Sequence, residues 1–259
     1  MIAFSPTPTG PPAGPRAPFI VPGLRPLPAA AGPRLRYALG TLDVALFSTA
    51  LYGLAGIGLP PHIAHSVPKR QAEFLAGRLC ARAALATLGR AACTVGVGAH
   101  REPVWPDGVI GSISHNGSYA AAVACPAAVL AGIGIDIESI IGAEARAAMA
   151  ELVVSAAELD YLRALSGEMG GVLSLDCLLT LVFSAKESFF KAAFAQVRAY
   201  FDFDAVRVTE IDTAAGTIGL RCAVTLAQRL REGDHYLAGF ELVGKSAVLT
   251  VVALPACET

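Results

Sequence analysis

Two carboxylates stand two residues apart in the otherwise apolar stretch AGIGIDIESI, residues 131–140. Because side chains alternate between the faces of a β-strand, Asp136 and Glu138 share one face with Gly132 and Gly134, and the isoleucines form the other. We expect the isoleucine face to be core and the carboxylate face to be open, since bare glycines let another group approach the backbone. A solvated strand edge is the plainer interpretation of a lone Asp-x-Glu pair.

A second acidic site lies in FSAKESFFKAAF, residues 183–194. On a helix, Glu187 and Lys191 are neighbours four residues apart, and Lys186 lies at the edge of their face. An ordinary surface pair of this kind stabilises a helix by about 0.2–0.5 kcal/mol. The phenylalanines of this stretch make most of the helix apolar, however, and charges on a buried helix require a partner or a function.

These acidic residues suit a magnesium site. Mg²⁺ prefers oxygen ligands in octahedral geometry and is usually held by a few carboxylates together with water and substrate phosphates. We therefore predict a metal site whose ligands are Asp136, Glu138 and Glu187. The flanking lysines, Lys186 and Lys191, would face phosphate oxygens as point charges.

Basic and hydroxyl-bearing residues elsewhere also suit a phosphate-rich ligand. A helix predicted to begin at Pro68 and to end at Gly89 carries four such cations: Lys69, Arg70, Arg78 and Arg82. A solvated helix face is the plainer interpretation of these cations. Ser114 and His115, which precede a predicted turn, offer further hydrogen-bond donors, although a lone histidine is more often structural.

The elements that must position these residues follow from periodicity and turn residues. VIGSISH and YAAAVAC flank an Asn-Gly-Ser turn and predict a hairpin, which leads into the carboxylate strand over residues 128–138. Ser155 and Glu158 form a capping box, and a long helix is predicted from Leu175 to Val197. Four strands follow, near residues 205–211, 217–225, 236–243 and 247–253. This order predicts an α+β fold of two similar halves meeting near residues 132–134, with a ligand cleft between them.

Composition and charge exclude several classes of protein. The chain has 259 residues, of which 54% are hydrophobic, and a net charge of −1. It can therefore bury a sizeable core, and no overall field attracts nucleic acid or an anionic membrane. Six scattered cysteines without a CxxC pair indicate reduced thiols in a cytoplasmic protein.

Two uncharged or unusual stretches lie near the N-terminus. Residues 1 to about 34 are rich in Pro and Gly, lack the pattern of a signal peptide, and predict a poorly ordered or draped extension. Residues 44–61 carry no charge and approach the length of a membrane span. Their glycines and terminal prolines instead favour a buried strand over residues 41–48 running into a loop.

Four stretches of the sequence resemble the 4'-phosphopantetheinyl transferases. In chain order they are SVPKRQAEFLAGRLCARAAL, REPVWPDGVIGSISH, GIGIDIE and FSAKESFFKA. The resemblance covers residues 40 to 250. Within this family, the sequence is most similar to the siderophore-synthesis branch of the Sfp-like group, which includes proteins like enterobactin synthetase component D. The resemblance implies a monomer of two pseudo-twofold-related halves, each a helix packed on a small antiparallel sheet. Coenzyme A and Mg²⁺, for which Mn²⁺ could substitute, would lie between the halves.

The resemblance also implies a reaction and its partners. Such enzymes move the 4'-phosphopantetheine arm of coenzyme A to a serine of an apo acyl, peptidyl or aryl carrier protein and release adenosine 3',5'-bisphosphate. With this resemblance, the chain divides into three parts. These are an extension (residues 1–34), a half with coenzyme-binding residues (35–133) and a half with the metal site and catalytic helix (134–259). No nucleic acid and no membrane span are implied.

By motif position, the metal ligands are again Asp136, Glu138 and Glu187. Glu187 and Lys191 are the catalytic residues: Glu187 acts as general base, directly or through a metal-bound water, and Lys191 stabilises the leaving pyrophosphate oxygen. The coenzyme contacts are Lys69, Arg70, Arg78, Arg82, Ser114, His115 and Lys186, with His115 on the 3'-phosphate. Asn116 departs from the family pattern, in which a small thiol or hydroxyl residue follows the Ser-His pair.

Two other functions fit the same residues. A non-catalytic coenzyme A-binding protein would bind the coenzyme without adding mass to any carrier protein. A metal-dependent phosphohydrolase would release phosphate from coenzyme A in the absence of a carrier protein.

Overall fold

A computed structural model describes residues 19–28, 35–99, 101–168 and 173–256. The first half contains β1 (Gly23–Pro26), β2 (Arg36–Thr41), α1 (Ala50–Ala55), α2 (Pro61–Ala64), α3 (Pro68–Ala86), β3 (Gly96–Val97), β4 (Pro103–Val104), β5 (Val109–His115) and β6 (Tyr119–Pro126). The second half contains β7 (Leu130–Ser139), α4 (Arg146–Val153), α5 (Ala156–Glu168), α6 (Leu175–Val197), β8 (Val206–Asp212), β9 (Thr217–Cys222), β10 (His235–Val243) and β11 (Ala247–Pro255).

Each half consists of an antiparallel sheet with one long helix packed on it. The first sheet has the strand order β1-β2-β6-β5 and is covered by α3, and β3 pairs with β4 beside it. The second sheet has the order β7-β11-β10-β9-β8 and is covered by α6. The predicted α+β class is confirmed, as are the helices at 68–86 and 175–197, the hairpin and the strands of the second sheet.

The isoleucine face of β7 lies in the core between the two halves. Ile133, Ile135 and Ile137 pack with Tyr37 and Val123 of the first sheet, and all of these side chains are buried. Burying isoleucines of this size contributes about 1.5–3 kcal/mol per side chain to folding. One face of the carboxylate strand therefore joins the halves, as its alternation predicts.

The opposite face of β7 is covered by α6, so the expectation of an open face is wrong. A Cβ atom at Gly132 would overlap the carbonyl oxygen of Ala192, and one at Gly134 would overlap that of Ser188. The helix presents small residues here, and Ser188 also donates a hydrogen bond to the Thr250 carbonyl in the neighbouring strand at 3.0 Å. The group that lies directly against these glycines is thus the backbone of the helix.

The predicted strand over residues 41–48 is wrong. β2 ends at Thr41, and the chain then forms a 3-10 turn over Val44–Leu46 followed by α1. The Asp43 side chain accepts a hydrogen bond from the Ala45 amide at 3.0 Å and so stabilises the turn. Gly56 ends α1 in the left-handed conformation, with φ of 61°. Apolar composition alone could not separate a buried strand from these short helical turns.

Part of the predicted N-terminal extension belongs to the fold. β1 pairs with β2, and Phe19, Ile20 and Leu27 are buried. Tyr37 and Arg25 both donate to the Glu241 carboxylate of β10, which links the two halves. Residues 19–28 are therefore a component of the first sheet rather than a loose segment, whereas residues 1–18 and 29–34 lie outside the described residues.

No helix among the described residues is long and apolar enough to cross a membrane. Five cysteines lie in the described part of the chain and all are free thiols: Cys80, Cys93, Cys125, Cys177 and Cys222. Cys257 lies outside the described residues. The unpaired state of these thiols agrees with the scattered spacing seen in the sequence.

The predicted capping box at the start of α5 forms part of a buried ion network. The Ser155 amide donates to Glu158 Oε2 at 2.8 Å, and the Glu158 amide donates to Ser155 Oγ at 3.3 Å. Glu158 Oε1 in turn accepts from the Val208 amide at 2.8 Å and pairs with Lys186 Nζ at 3.0 Å. Burial alone would raise the pKa of Glu158, but Lys186 and these amides outweigh it and lower that pKa.

We expect Gly134→Ala to destabilise the protein by about 1–3 kcal/mol or more, because the new methyl group must displace the backbone of α6. Equilibrium unfolding in urea measures this change as a lower midpoint. Gly53→Ala is the matched control, since no atom lies within 4 Å of the place that its new methyl group would take in α1, and alanine favours a helix by about 0.5–1 kcal/mol. An unchanged midpoint for Gly134→Ala would contradict the close helix–strand contact.

We expect Glu158→Ala to cost about 3–5 kcal/mol, because it leaves the buried ammonium of Lys186 without its carboxylate. Glu151→Ala, at an exposed position of α4, should change little. Since the folded-state pKa of Glu158 is lowered, its stabilisation is present above the unfolded pKa and disappears as the pH falls. Urea unfolding from pH 7 down to about pH 3 should therefore show a smaller acid-induced loss in Glu158→Ala than in the wild type.

Candidate active site

Three carboxylates lie where β7 meets α6. Asp136 and Glu138 project from the face of β7 that α6 covers, and Glu187 projects from α6; Asp136 is only 2% exposed. The pKa of Glu138 is raised to about 7, first by burial and then by the charge of Asp136, with Lys191 opposing and Glu187 adding. Burial also raises the pKa of Glu187. The mutual effect of these charges makes the cluster favourable for a cation.

The two oxygens of Asp136 have different surroundings. Oδ1 accepts a hydrogen bond from Ser114 Oγ at 2.8 Å and pairs with Lys191 Nζ at 2.6 Å. Oδ2 is buried and has no hydrogen-bond partner among the described residues. A buried carboxylate oxygen without a partner is costly and is found where a ligand or ion completes its contacts.

The carboxylates do not form a closed metal cage. Within the described ranges, no group of three or more His, Cys, Asp or Glu side chains lies close enough together to hold a metal ion. The fit to Mg²⁺ rests instead on the donor set, which is all oxygen, and on the unpartnered Asp136 Oδ2. Sites for this ion commonly rely on water and substrate phosphates for the remaining ligands.

Lys191 lies one turn after Glu187, as the helical spacing predicts. Besides Asp136, its ammonium donates to the Ile135 carbonyl and to Ser114 Oγ, each at 3.3 Å. The side chain also borders a cleft of about 810 Å³ between β5 on one side and β7 with α6 on the other. Lys191 is thus a cation at the junction of the carboxylates and the cleft.

Lys186 borders an opening of about 230 Å³ together with Glu187, but its ammonium is bound by other groups. Its ammonium is buried, pairs with Glu158, and donates to the carbonyls of Val153 at 2.8 Å and Phe203 at 3.2 Å. Burial lowers the pKa of Lys186, although Glu158 opposes this shift. These three partners use all three of its N–H donors. The geometry therefore gives no support to the expected contact between Lys186 and a phosphate.

A second cavity of about 300 Å³ is lined by Arg70, Arg78, Arg101 and His115. Arg70 Nη1 lies 2.6 Å from His115 Nε2. Because a guanidinium only donates, Nε2 must accept, so the ring proton is on Nδ1, 3.6 Å from a Glu73 oxygen. Burial, Arg70 and Lys191 lower the pKa of His115 to about 4. His115 is thus neutral at pH 7 and held in one tautomer.

The other three cations of α3 that the sequence assigns to the coenzyme have different surroundings: Arg78, Arg82 and Lys69. Arg78 donates to the carbonyls of Val95 and Gly96, each at 2.9 Å, and lies 4.4 Å above the Phe74 ring. Arg82 donates to the Ala55 carbonyl at 2.7 Å, and both arginines line a further cavity of about 360 Å³. Lys69 is exposed, 3.9 Å from Glu73. Arg70 and Arg78 are brought to the cavity of His115, while Arg82 and Lys69 are not.

Ser114 lies beside the carboxylates. It points to Asp136 and not into the cavity that His115 lines, because adjacent residues of β5 face opposite sides.

Arg101, which precedes the Ser-His pair in the stretch REPVWPDGVIGSISH, borders both the cleft and the His115 cavity. Sequence reasoning missed Glu73 and Arg198; Arg198 has φ of 52° and borders the cleft at the end of α6. Glu73 faces His115. A left-handed arginine has no sequence signature, so these positions could not be found from residue type.

Comparison with known proteins identifies the family. Residues 60–125 match the 4'-phosphopantetheinyl transferase N-terminal domain, and residues 132–251 match the 4'-phosphopantetheinyl transferase superfamily. The chain is 36% identical over 198 residues to 4'-phosphopantetheinyl transferase Svp of Streptomyces mobaraensis, covering 75% of this chain and 76% of that protein.

Two further relatives are similar over most of their length. Enterobactin synthase component D of Salmonella typhi is 34% identical over 184 residues, covering 70% of this chain and 74% of the relative. 4'-Phosphopantetheinyl transferase Npt of Nocardia iowensis is 32% identical over 198 residues, covering 74% and 85%. With the cleft and the carboxylate cluster falling inside the matched regions, this chain belongs to the 4'-phosphopantetheinyl transferase superfamily.

Proposed function

We propose that this protein, which transfers the 4'-phosphopantetheine group to carrier proteins as its family does, performs the transfer with Mg²⁺ held by Asp136, Glu138 and Glu187. The observation that carries the proposal is the buried Asp136 Oδ2, which has no hydrogen-bond partner in the described part of the chain and lies near two further carboxylates. When bound, the ion would neutralise the pyrophosphate of coenzyme A and align it for in-line attack.

Glu187 is the residue we assign as general base. Burial raises its pKa in the absence of a metal ion, whereas a bound divalent cation would lower it, so the carboxylate stays ionised and able to accept a proton. It also lines an opening of about 230 Å³ with Phe190 and Tyr200, so the site can be reached there. A serine hydroxyl entering from this side would meet the Glu187 carboxylate directly or through one water molecule.

Lys191 is the cation we assign to the leaving group. Its ammonium lies between Asp136 and the cleft, so a phosphate oxygen in the cleft could exchange for its weaker contacts with Ser114 and Ile135. Charge-assisted hydrogen bonds of this kind contribute about 1.5–3 kcal/mol. In the transition state Lys191 would stabilise the charge that develops on the bisphosphate.

We place the nucleotide end of coenzyme A in the cavity that Arg70, Arg78 and His115 line. The neutral His115 is held by Arg70, and a phosphate dianion bound beside it would favour the protonated ring and raise its pKa. Lys69 is exposed and does not line this cavity, and Arg82 is tied to the Ala55 carbonyl. The 3'-phosphate is the group we place next to His115.

The partner that we propose is an apo carrier protein of a siderophore or other secondary-metabolite synthase. Similarity to a relative named enterobactin synthase component D favours this class over a carrier protein of fatty-acid synthesis. The free thiols agree with the cytoplasm as the compartment. We propose a monomer, since each half already carries its own core and the site is completed within one chain.

We expect Asp136→Asn to reduce Mg²⁺-dependent loading of a carrier protein at least about 100-fold, because it removes the charge at the centre of the cluster. Mass spectrometry of an apo carrier protein incubated with coenzyme A measures the product. Asp160→Asn, in an exposed pair with Arg163, is the control and should load normally. Full activity of Asp136→Asn would contradict the site.

The same assay distinguishes the two other functions. Phosphate released from coenzyme A without a carrier protein would indicate a phosphohydrolase. Binding of coenzyme A without any mass added to the carrier protein would indicate a non-catalytic coenzyme A-binding protein.

Binding of coenzyme A can be followed through Trp105, which is the only tryptophan of the chain and borders the cleft. We expect the coenzyme to change its fluorescence, and Arg70→Gln to weaken the affinity about tenfold or more, because a charged contact with phosphate is lost. Arg163→Gln, on the exposed face of α5, should leave the affinity unchanged. Equal affinities for the two variants would exclude the Arg70 cavity as the nucleotide site.

A further inference from the structure

The hydroxyl of Ser114 joins the two halves of the protein at the carboxylate cluster. Ser114 lies in β5 at the edge of the first sheet, and Asp136 lies in β7 at the edge of the second. Ser114 is buried, donates to Asp136 Oδ1 at 2.8 Å and accepts from the Ile137 amide at 3.3 Å. Lys191 Nζ donates to the same hydroxyl at 3.3 Å.

These three contacts use the whole hydrogen-bonding capacity of the hydroxyl. A serine side chain has one hydrogen to donate and two lone pairs to accept with. Its single hydrogen is given to Asp136, and its acceptor positions face Ile137 and Lys191. Ser114 could therefore donate to a phosphate only by releasing Asp136, which would leave a buried carboxylate oxygen without that bond.

Neighbouring His115 faces the cavity that we propose for the nucleotide. Its ring lies in the cavity with Arg70, whereas Ser114 points to the opposite side of β5. The two side chains of the Ser-His pair thus face different parts of the site. His115 faces the proposed nucleotide cavity, and Ser114 faces the Asp136 carboxylate of the second half.

The hydrogen bond from Ser114 to Asp136 also determines which oxygen of that carboxylate is available to a ligand. Ser114 and Lys191 both bind Oδ1, and Oδ2 is left without a partner among the described residues. We propose that Ser114 is a positioning residue, which fixes the Asp136 carboxylate so that Oδ2 is available to a divalent cation. This inference rests on the proposed metal site, and it assigns Ser114 to the metal rather than to the coenzyme.

Ser112 provides a matched control on the same strand. It is buried like Ser114 and faces the same side of β5, but its hydroxyl makes only a long contact of 3.5 Å with the Ile135 carbonyl. Ser112→Ala therefore removes a hydroxyl from the same strand without removing a contact to Asp136.

The test measures Mn²⁺ binding by electron paramagnetic resonance, with coenzyme A present and no carrier protein, so that no turnover occurs. Free coenzyme A titrated with Mn²⁺ is the blank. We expect Ser114→Ala to weaken Mn²⁺ binding about tenfold or more, as loss of a group that orients a metal ligand usually does. Ser112→Ala should keep the wild-type affinity, and Ser114→Thr, which retains the hydroxyl, should bind within about threefold of the wild type.

A second measurement separates positioning from phosphate contact. Titration with coenzyme A in the presence of a chelator, followed through Trp105, should give the same affinity for Ser114→Ala as for the wild type. Ser114→Cys, which keeps the shape but is a weak donor, should reproduce the Mn²⁺ defect and replaces Ser114→Ala if that variant does not fold.

Three results would overturn the inference. If Ser114→Ala and Ser114→Cys both bind Mn²⁺ with the wild-type affinity, the hydroxyl of Ser114 does not orient the Asp136 carboxylate. A loss confined to coenzyme A affinity without metal would show a phosphate contact instead. Wild-type protein that binds no Mn²⁺ beyond the blank would remove the proposed metal site itself, and the first two results leave that site standing.

Discussion

The contact between the backbone of α6 and the glycines of β7 is the constraint on which the rest of the site depends. Gly132 and Gly134 let the helix lie directly on the strand, which brings Glu187 and Lys191 to the face that carries Asp136. A side chain at either glycine would push the helix away and separate the acidic residues. The glycines therefore serve the chemistry through their packing against the helix.

The charges of the site are arranged in two zones. Asp136, Glu138 and Glu187 form an acidic centre in which burial and mutual repulsion raise the pKa of both glutamates. Arg70 and its neighbours form a basic cavity, in which burial and then the charge of Arg70 lower the pKa of His115. A phosphate ligand carrying a divalent cation complements this arrangement, because its positive part meets the acidic centre and its phosphates meet the cations.

Much of the fold follows from patterns within short stretches of sequence. The capping box of Ser155 and Glu158 and the Asn-Gly turn both mark element ends through local hydrogen bonds, and the structure has them where the sequence predicts them. Contacts between distant segments were harder to foresee. The partner of Lys186 is Glu158 on another helix, and no spacing rule connects them. Likewise, the glycines of β7 indicated a close approach, but their pattern could not distinguish a helix from a ligand.

The most direct test of the central claim is a crystal structure of the protein with coenzyme A and Mn²⁺, using anomalous scattering to locate the metal. We predict one Mn²⁺ ion bound directly to Asp136 Oδ2, with Glu138 and Glu187 bound directly or through water, and with pyrophosphate oxygens as further ligands. An ion bound by the coenzyme phosphates alone, with Asp136 Oδ2 left without a ligand, would contradict the account.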